Sequence, residues 1–282
     1  MSMDDWEEMD PIQLTTLTFV GTSSCTPADD NDTACFLING HVLVDCGWAA
    51  GLTMMRRPEC DATMLTHVLV THCHQDHYMG LASVLFYRAM QAARIESDEP
   101  LIVAGPAEDI ERIVDLTMDF IQADRIGERC PRPEVLPLGP GDELRAYELD
   151  ITTAATRHAI PSLAYRILDM DTGVGIGFTG DTAYMPELAE FFSGVDHLVT
   201  EGSTGLNDPA PENEAGHQSV GQAAKLGKAS GAENLSIVHT DMTRREEFQQ
   251  VARGICPAAY IPWPGDRHNL EGRSVDPYWV PW

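Results

Sequence analysis

Short apolar segments rich in β-branched residues recur along the N-terminal part of the chain and predict strands. They cover residues 13–21, 35–40, 41–47 and 66–72 and are separated by Gly, Asn and Asp residues typical of turns. The last segment, "THVLVTH", has a continuous apolar run, which indicates a strand buried on both faces. From 81 to 95 the apolar residues recur at three- and four-residue spacing instead, which predicts a helix.

Strands and helices are predicted along the rest of the chain as well. A strand at 101–105 and a helix at 107–123 precede strand-like segments at 144–156, 163–169 and 174–181. The last third alternates, with helices predicted at 185–193, 219–230 and 244–254 and strands at 197–201 and 235–239. The most loop-like segment, 207–216, is too short to separate domains. We therefore expect a single domain over residues 1–282, of α/β (α+β) class, with sheets inside and helices outside.

The composition is that of a soluble globular protein. Hydrophobic residues make up 43% of the chain and charged residues 22%, and no apolar run approaches the roughly 20 residues of a membrane span. The first residues, "MSMDDWEEMD", are acidic where a signal peptide is basic and then apolar. The seven cysteines are odd in number and contain no C-x-x-C pair, which favours free thiols. A cytoplasmic protein without membrane contacts is expected.

The charge balance is strongly acidic. Forty-four acidic residues face 18 basic ones, giving a formal net charge of −26. A field of this sign repels phosphate backbones, so nucleic acid is a disfavoured partner and a small-molecule substrate is expected. Solubility is the simpler reason for the acidity, which identifies no substrate by itself. A homodimer is left open.

Three of the ten histidines lie within six positions, in "HCHQDH" at 72–77. His72 and His74 are two residues apart just beyond a predicted buried strand, so both side chains can point the same way. Asp76 and His77 follow where the next helix would begin. Imidazole and carboxylate groups are ligands of zinc and similar divalent ions. A solvated histidine-rich loop is the alternative, but four ligand-type side chains at a strand end favour a metal site that takes further ligands from elsewhere.

The segment "THCHQDH" resembles the H-x-H-x-D-H signature of the metallo-β-lactamase superfamily. Four further segments resemble other motifs of that superfamily in the expected order: "VDCG" (44–47), "TRHAIPSLAYRI" (156–167), "FTGDT" (178–182) and "IVHTD" (237–241). Two more segments are similar to the ribonuclease Z-like branch: "GTSSCTP" (21–27) and "GHQSVGQAAKLGKASGAENLSIVH" (216–239). The resemblance extends from about Leu17 to His239.

This resemblance implies a four-layer αβ/βα metallo-β-lactamase sandwich with the site at the edge of two facing sheets. It also implies two divalent metal ions, with zinc favoured and manganese or iron as alternatives. The ligands that it assigns to the first ion are His72, His74 and His158. Those of the second ion are Asp76, His77 and His239, and Asp181 would bridge the two. Asp45 is expected to support the ligands by hydrogen bonding.

Hydrolysis is the activity that the resemblance implies, with Asp76, His217 and Glu201 as candidate catalytic residues. His217 would protonate the leaving group and Glu201 would orient it. The alternatives for these two residues are an exposed loop histidine and a plain strand-end carboxylate.

The leading hypothesis for the reaction is a phosphodiesterase that attacks a small or cyclic phosphodiester with a metal-activated hydroxide. Alternatives on the same metals are a lactonase, for which Tyr184 would be a candidate, an esterase, a thioesterase or an arylsulfatase. A transfer RNA 3′-processing endonuclease comes after these. An iron-dependent redox enzyme or a non-catalytic metal-binding protein is disfavoured, because no ligand is missing and His74 stands where flavodiiron proteins carry glutamate.

One interval departs from ribonuclease Z, which binds transfer RNA with a long arm. Bacterial forms insert this arm between the third-histidine and bridging-aspartate motifs. Here Asp181 follows His158 by only 23 positions, and two strand-like segments fill most of the interval. Arg166 is the one basic residue between them, whereas gripping RNA phosphates needs several. The sequence therefore predicts no RNA-binding arm at this place.

Overall fold

The computed structural model describes residues 14–57, 59–95, 97, 99–270 and 274–276. The acidic segment "MSMDDWEEMD" lies outside these residues. The strands of the described part are, in chain order, β1 (Thr16–Gly21), β2 (Cys35–Ile38), β3 (Val42–Val44), β4 (His67–Leu69), β5 (Ile102–Pro106), β6 (Glu134–Leu138), β7 (Glu143–Ala146), β8 (Leu149–Ala155), β9 (Leu163–Asp169), β10 (Gly175–Phe178), β11 (His197–Glu201), β12 (Asn234–Val238), β13 (Ala259–Tyr260), β14 (Arg267–Asn269) and β15 (Ser274–Asp276).

The α-helices of the same part are α1 (Ala50–Met55), α2 (Gln75–Tyr78), α3 (Leu81–Met90), α4 (Ile110–Phe120), α5 (Ala123–Ile126), α6 (Leu188–Phe191), α7 (Val220–Ser230) and α8 (Arg245–Ile255). Among the described residues, no helix combines the length and the apolar character needed to cross a membrane.

The strands form two mixed sheets. The first has the order β15-β14-β1-β2-β3-β4-β5-β6, and the second has the order β13-β12-β11-β10-β9-β8-β7. Strands β3 to β6 run parallel in the first sheet, and β10 to β13 run parallel in the second. Parallel strands need crossover connections, and the helices between them supply these.

The hydrophobic residues divide into three large clusters that correspond to the layers. Phe19, Phe36, Tyr165 and Phe178 belong to the cluster between the two sheets. A second cluster joins the outer face of the first sheet to α1, α3 and α4, and a third joins the second sheet to α6, α7 and α8. The predicted four-layer αβ/βα sandwich is therefore confirmed.

One predicted strand was wrong, and β6, β13, β14 and β15 were not predicted. The segment 144–156 is a hairpin of β7 and β8 rather than one strand, because the chain reverses at Tyr147 and Glu148. Strand β6, "EVLPL", was missed because it contains Pro137, which removes a backbone donor. Because β6 is the last strand of its sheet, Pro137 lies in an edge strand, where proline is tolerated.

Candidate metal centre

The candidate ligands follow the carboxyl ends of parallel strands. His72 to His77 come after β4, Asp181 after β10 and His239 after β12. Since the carboxyl ends of parallel strands lie at one edge of a sheet, each sheet brings its own group to the same end of the sandwich. The loop after β8 brings His158 to this end as well, because Leu163 N donates to Thr71 O at 2.9 Å.

The structure brings all seven predicted ligands together in overlapping groups. Within each group the ligand-type atoms lie within 4.8 Å of one another. The groups are His72, His74 and His158; His72, His77 and Asp181; Asp76, His77 and His239; and His158, Asp181 and His217. Asp181 thus lies within reach of both predicted ligand sets, as a bridging group must. The assignment of these residues to metal ions stays a prediction.

Hydrogen bonds at Nδ1 orient the rings of His158 and His77, so that their Nε2 atoms lie near the other candidate ligands. His158 Nδ1 donates to Gly216 O at 2.9 Å, and His77 Nδ1 donates to the Asp45 carboxylate at 2.8 Å. Burial lowers the pKa of His158, so its Nε2 is an acceptor. Burial opposes protonation of His77, but the charges of Asp45 and Asp181 outweigh it and raise the pKa of His77 well above its usual value, so these carboxylates favour a proton on its Nε2. His77 Nε2 is buried and has no hydrogen-bond partner among the described residues. It lies 3.3 Å from Asp76 Oδ2 and 3.7 Å from Asp181 Oδ2, so a bound cation would replace a proton among these groups.

Asp45 also determines the state of His72. The Thr71 hydroxyl donates to Asp45 at 2.9 Å, so it must accept from His72 Nδ1 at 3.1 Å. His72 Nε2 then carries a lone pair and lies 3.1 Å from His74 Nδ1, which is 2.9 Å from His158 Nε2. Of these three converging nitrogens, only His74 Nδ1 can carry a proton, because the other two are acceptors. The geometry therefore suits ligands around a cation.

Burial and mutual proximity keep this histidine group neutral. Burial, followed by the neighbouring His77, holds the pKa of His72 well below its usual value. Burial and the neighbouring His158 likewise lower the pKa of His74. Neutral imidazole is the form that binds metal, so no proton has to be displaced from these rings before an ion binds.

The pKa of His239, in the second predicted ligand set, shifts in the opposite direction. Burial disfavours protonation of His239, but the charge of Asp181 and the hydrogen bond to Asp76 outweigh it and raise the pKa of His239. His239 Nε2 lies 3.2 Å from Asp76 Oδ2 and 3.5 Å from Asp181 Oδ2. In the protein alone these carboxylates favour a proton on His239, and a divalent ion would take over that role.

His217 and Glu201, the predicted acid and its orienting group, are hydrogen-bonded to each other. His217 Nδ1 lies 2.9 Å from Glu201 Oε1, and Glu201 is buried. Burial opposes protonation of His217, but the hydrogen bond and charge of Glu201 outweigh it and raise the pKa of His217 to about 9. His217 therefore carries a proton at neutral pH, which an acid requires.

Ser203 and Thr71 are supporting residues that the sequence did not reveal. Ser203 donates its hydroxyl proton to the second oxygen of Glu201 in a short hydrogen bond, and its oxygen accepts from His239 Nδ1 at 2.8 Å. Glu201 thus connects His217 to a predicted metal ligand. Serine and threonine are common at strand ends, so nothing in their spacing signals this role.

Replacing Gly216 with alanine is expected to weaken zinc binding by about 10–100-fold, the cost of losing a hydrogen bond that orients a ligand. Gly216 has φ +66°, and an added Cβ would lie 2.4 Å from the Cα of His158. The loop would have to move, breaking the bond from His158 Nδ1. Competition with a chromophoric chelator measures the affinity.

Gly231 provides the matched control for this substitution. It has φ +74° at the end of α7, and an added Cβ would meet nothing within 4 Å. Gly231→Ala therefore imposes similar backbone strain without touching the site and should leave zinc affinity unchanged. Equal affinities of the two variants would contradict the importance of the contact at Gly216.

Comparisons with known proteins identify the family of this chain. The sequence profile of the β-lactamase superfamily domain matches residues 41–240. A ribonuclease Z from Macrococcus caseolyticus is 30% identical over 159 residues, a match that covers 54% of this chain but only 49% of that protein, about half its length. A ribonuclease BN from Erwinia tasmaniensis is 23% identical over 278 residues, covering 79% of this chain and 88% of that protein.

A solved structure shows the same fold along nearly the whole chain. The metallo-β-lactamase fold protein YhfI from Bacillus subtilis superposes with a TM-score of 0.77 at 22% identity, covering 90% of this chain and 99% of that one. The family profile, the relatives and the two-sheet sandwich establish that this chain belongs to the metallo-β-lactamase superfamily, in its ribonuclease Z-like branch, and is a metal-dependent hydrolase.

Proposed function

We propose that this protein is a phosphodiesterase that uses two divalent metal ions, preferably zinc, to hydrolyse a small or cyclic phosphodiester. The observation that carries the proposal is the position of His217, which is held by Glu201 and lies beside Asp181. A proton donor next to a group of metal ligands is what a reaction with an alkoxide leaving group requires.

The ligands divide into two sets that share one carboxylate. His72, His74 and His158 would hold one ion, and Asp76, His77 and His239 the other. Asp181 would contribute to both. When bound, two divalent ions lower the pKa of a water to about 7 and neutralise the charge that develops on phosphoryl oxygens.

The protein's own residues would orient the ligands and supply the proton. Asp45 and Ser203 fix the rings of His77 and His239 through their outer nitrogens. Glu201 holds Nδ1 of His217, so Nε2 is the nitrogen left to face a leaving oxygen. The proton would move from this atom to the departing alkoxide, and Glu201 would stabilise the charged ring before transfer.

Tyr184 gives no support to the lactonase alternative. It packs against the hydrophobic cluster formed by the second sheet and its helices. This position favours a packing role over polarisation of a substrate carbonyl.

A small substrate is favoured over transfer RNA by the hairpin between His158 and Asp181. Strands β9 and β10, with the short turn that connects them, span residues 163–178 of that interval, so no arm extends from it. The net charge of −26 also opposes the approach of a polyanion.

The zinc- or manganese-supplemented protein is expected to hydrolyse bis(4-nitrophenyl) phosphate and to leave precursor transfer RNA uncut at physiological salt. Chelator-treated protein is the control. Nitrophenyl acetate, a lactone and nitrophenyl sulfate complete the panel, and faster turnover of any of these would replace the phosphodiesterase proposal. Site-specific removal of a 3′ trailer would overturn the proposed preference for small substrates.

A further inference from the structure

A second cleft lies at the end of the first sheet opposite to the metal centre. Its volume is about 640 Å³, and His67, the first residue of β4, lines it. The metal-binding motif follows the other end of the same strand, so the two sites are separate. The volume falls within the range of about 300–1,000 Å³ that is usual for small-molecule sites.

His67 presents an unused acceptor to this cleft. The Thr66 hydroxyl donates to His41 O at 3.2 Å, so it must accept from His67 Nδ1 at 3.0 Å. His67 Nε2 therefore carries a lone pair, and it has no hydrogen-bond partner among the described residues. Burial, reinforced by the nearby His41, lowers the pKa of His67 to about 4, so the ring stays neutral. His67 is only 5% exposed, and its Nε2 can accept a hydrogen bond from a molecule bound in the cleft.

Further acceptors line the same cleft, while its arginine is already engaged. The carboxylates of Glu99, Glu134 and Glu148 lie in its wall. Arg88 is buried in the wall as well, and its Nη1 donates to the carbonyls of three residues at 2.7–3.1 Å, namely Ala62, Thr63 and Leu65. Arg88 keeps its positive charge, because these carbonyls are neutral, and Glu148 already accepts from Asn39 Nδ2 at 2.8 Å. With three carboxylates and one guanidinium, the described lining is net negative.

An aromatic ring lies at the same cleft. Tyr147 is half-exposed, its ring is 5.7 Å from that of His41, and its hydroxyl donates to Glu99 at 3.4 Å. Tyr147 takes φ +56° in the turn between β7 and β8, a conformation usually given to glycine or asparagine. Met64 and Ile102 provide apolar lining. Aromatic faces attract cations, and carboxylates beside them strengthen the attraction.

We propose that this cleft binds a small organic cation, an ammonium or guanidinium group carried on an apolar body. Its N–H groups would donate to the Glu134 carboxylate and to His67 Nε2, while the apolar part would lie against Met64 and Tyr147. A bare metal ion fits less well, because in the described part of the chain no three ligand-type atoms at this cleft come within 4.8 Å of one another. The site is independent of the phosphodiesterase proposal.

Calorimetric titration of the zinc-loaded protein at 0.15 M salt would test this, with 2-phenylethylammonium as the probe and 2-phenylethanol as its neutral counterpart. We expect saturable binding of one cation per chain, with the alcohol at least ten-fold weaker. Equal affinities for the two compounds, or no saturable binding of the cation, would overturn the proposal.

Matched variants locate the bound probe. Glu134→Gln should weaken binding at least five-fold, whereas Glu143→Gln, which removes an exposed carboxylate of β7 outside the cleft, should not. Tyr147→Asn keeps a residue that tolerates positive φ and should also weaken binding, whereas Gln122→Asn at φ +53° should not. If the Glu134→Gln variant binds the probe as well as the wild type, the probe lies elsewhere and the proposal is wrong. Loss of binding in Asp181→Asn would lead to the same conclusion.

Discussion

Replacing Asp181 with alanine is expected to abolish hydrolysis and to lower the bound metal from two ions per chain to one or none. Asp181 Oδ2 lies 3.5 Å from His239 Nε2 and 3.7 Å from His77 Nε2, and the same carboxylate is grouped with His72 and His158. It is the one carboxylate that reaches both ligand sets among the described residues. Its loss removes a ligand and a negative charge from each ion, so both should bind more weakly.

Elemental analysis of protein purified without chelator measures the metal content. The wild type should approach two ions per chain after supplementation. Asp171→Ala, which removes an exposed aspartate from the turn between β9 and β10, should keep both ions and full activity. A wild-type value that stays at one ion, or an Asp181→Ala protein that retains two, would contradict the binuclear arrangement.

Sequence patterns predicted the elements best where they carried a strong local signal. The strand 197–201 was found at the predicted residues, since its apolar run lies between polar segments. The hairpin of β7 and β8 was not predicted, because its turn has Tyr147 and Glu148 instead of the Asn-Gly or Gly pairs that signal a reversal. Strand β14, "RHN", has no apolar pattern at all and exists because β1 and β15 pair with it.

Local sequence patterns likewise predicted only part of the candidate site. The dense motif at 72–77 indicated a metal site from residue types and spacing alone. His158, Asp181 and His239 are single residues at strand ends, and only the resemblance to a known superfamily selected them. The roles of Ser203, Thr71 and the Gly216 carbonyl depend on contacts between segments distant in sequence, for which local patterns carry no signal.

Replacing His217 with alanine is expected to reduce turnover by about 10²–10⁴-fold for phosphodiesters with poor leaving groups, while both metal ions are retained. The imidazole is about one-quarter exposed and lies between Glu201 and solvent, with Nδ1 held at 2.9 Å from the carboxylate. His217 belongs to neither of the two predicted ligand sets, although it lies beside His158 and Asp181. Its removal should therefore change the proton supply and leave the metal content alone.

The leaving group decides whether His217 acts as an acid. An alkoxide needs a proton as the bond to phosphorus breaks, whereas 4-nitrophenolate leaves as a stable anion. The loss in His217→Ala should therefore shrink to about ten-fold or less for nitrophenyl esters, because general acid catalysis contributes little to a good leaving group. Glu201→Gln keeps an oxygen acceptor for His217 Nδ1 but loses the charge, so it should show the same dependence on leaving group at a smaller amplitude. Equal losses for nitrophenolate and alkoxide substrates would instead indicate that His217 binds or positions the phosphodiester.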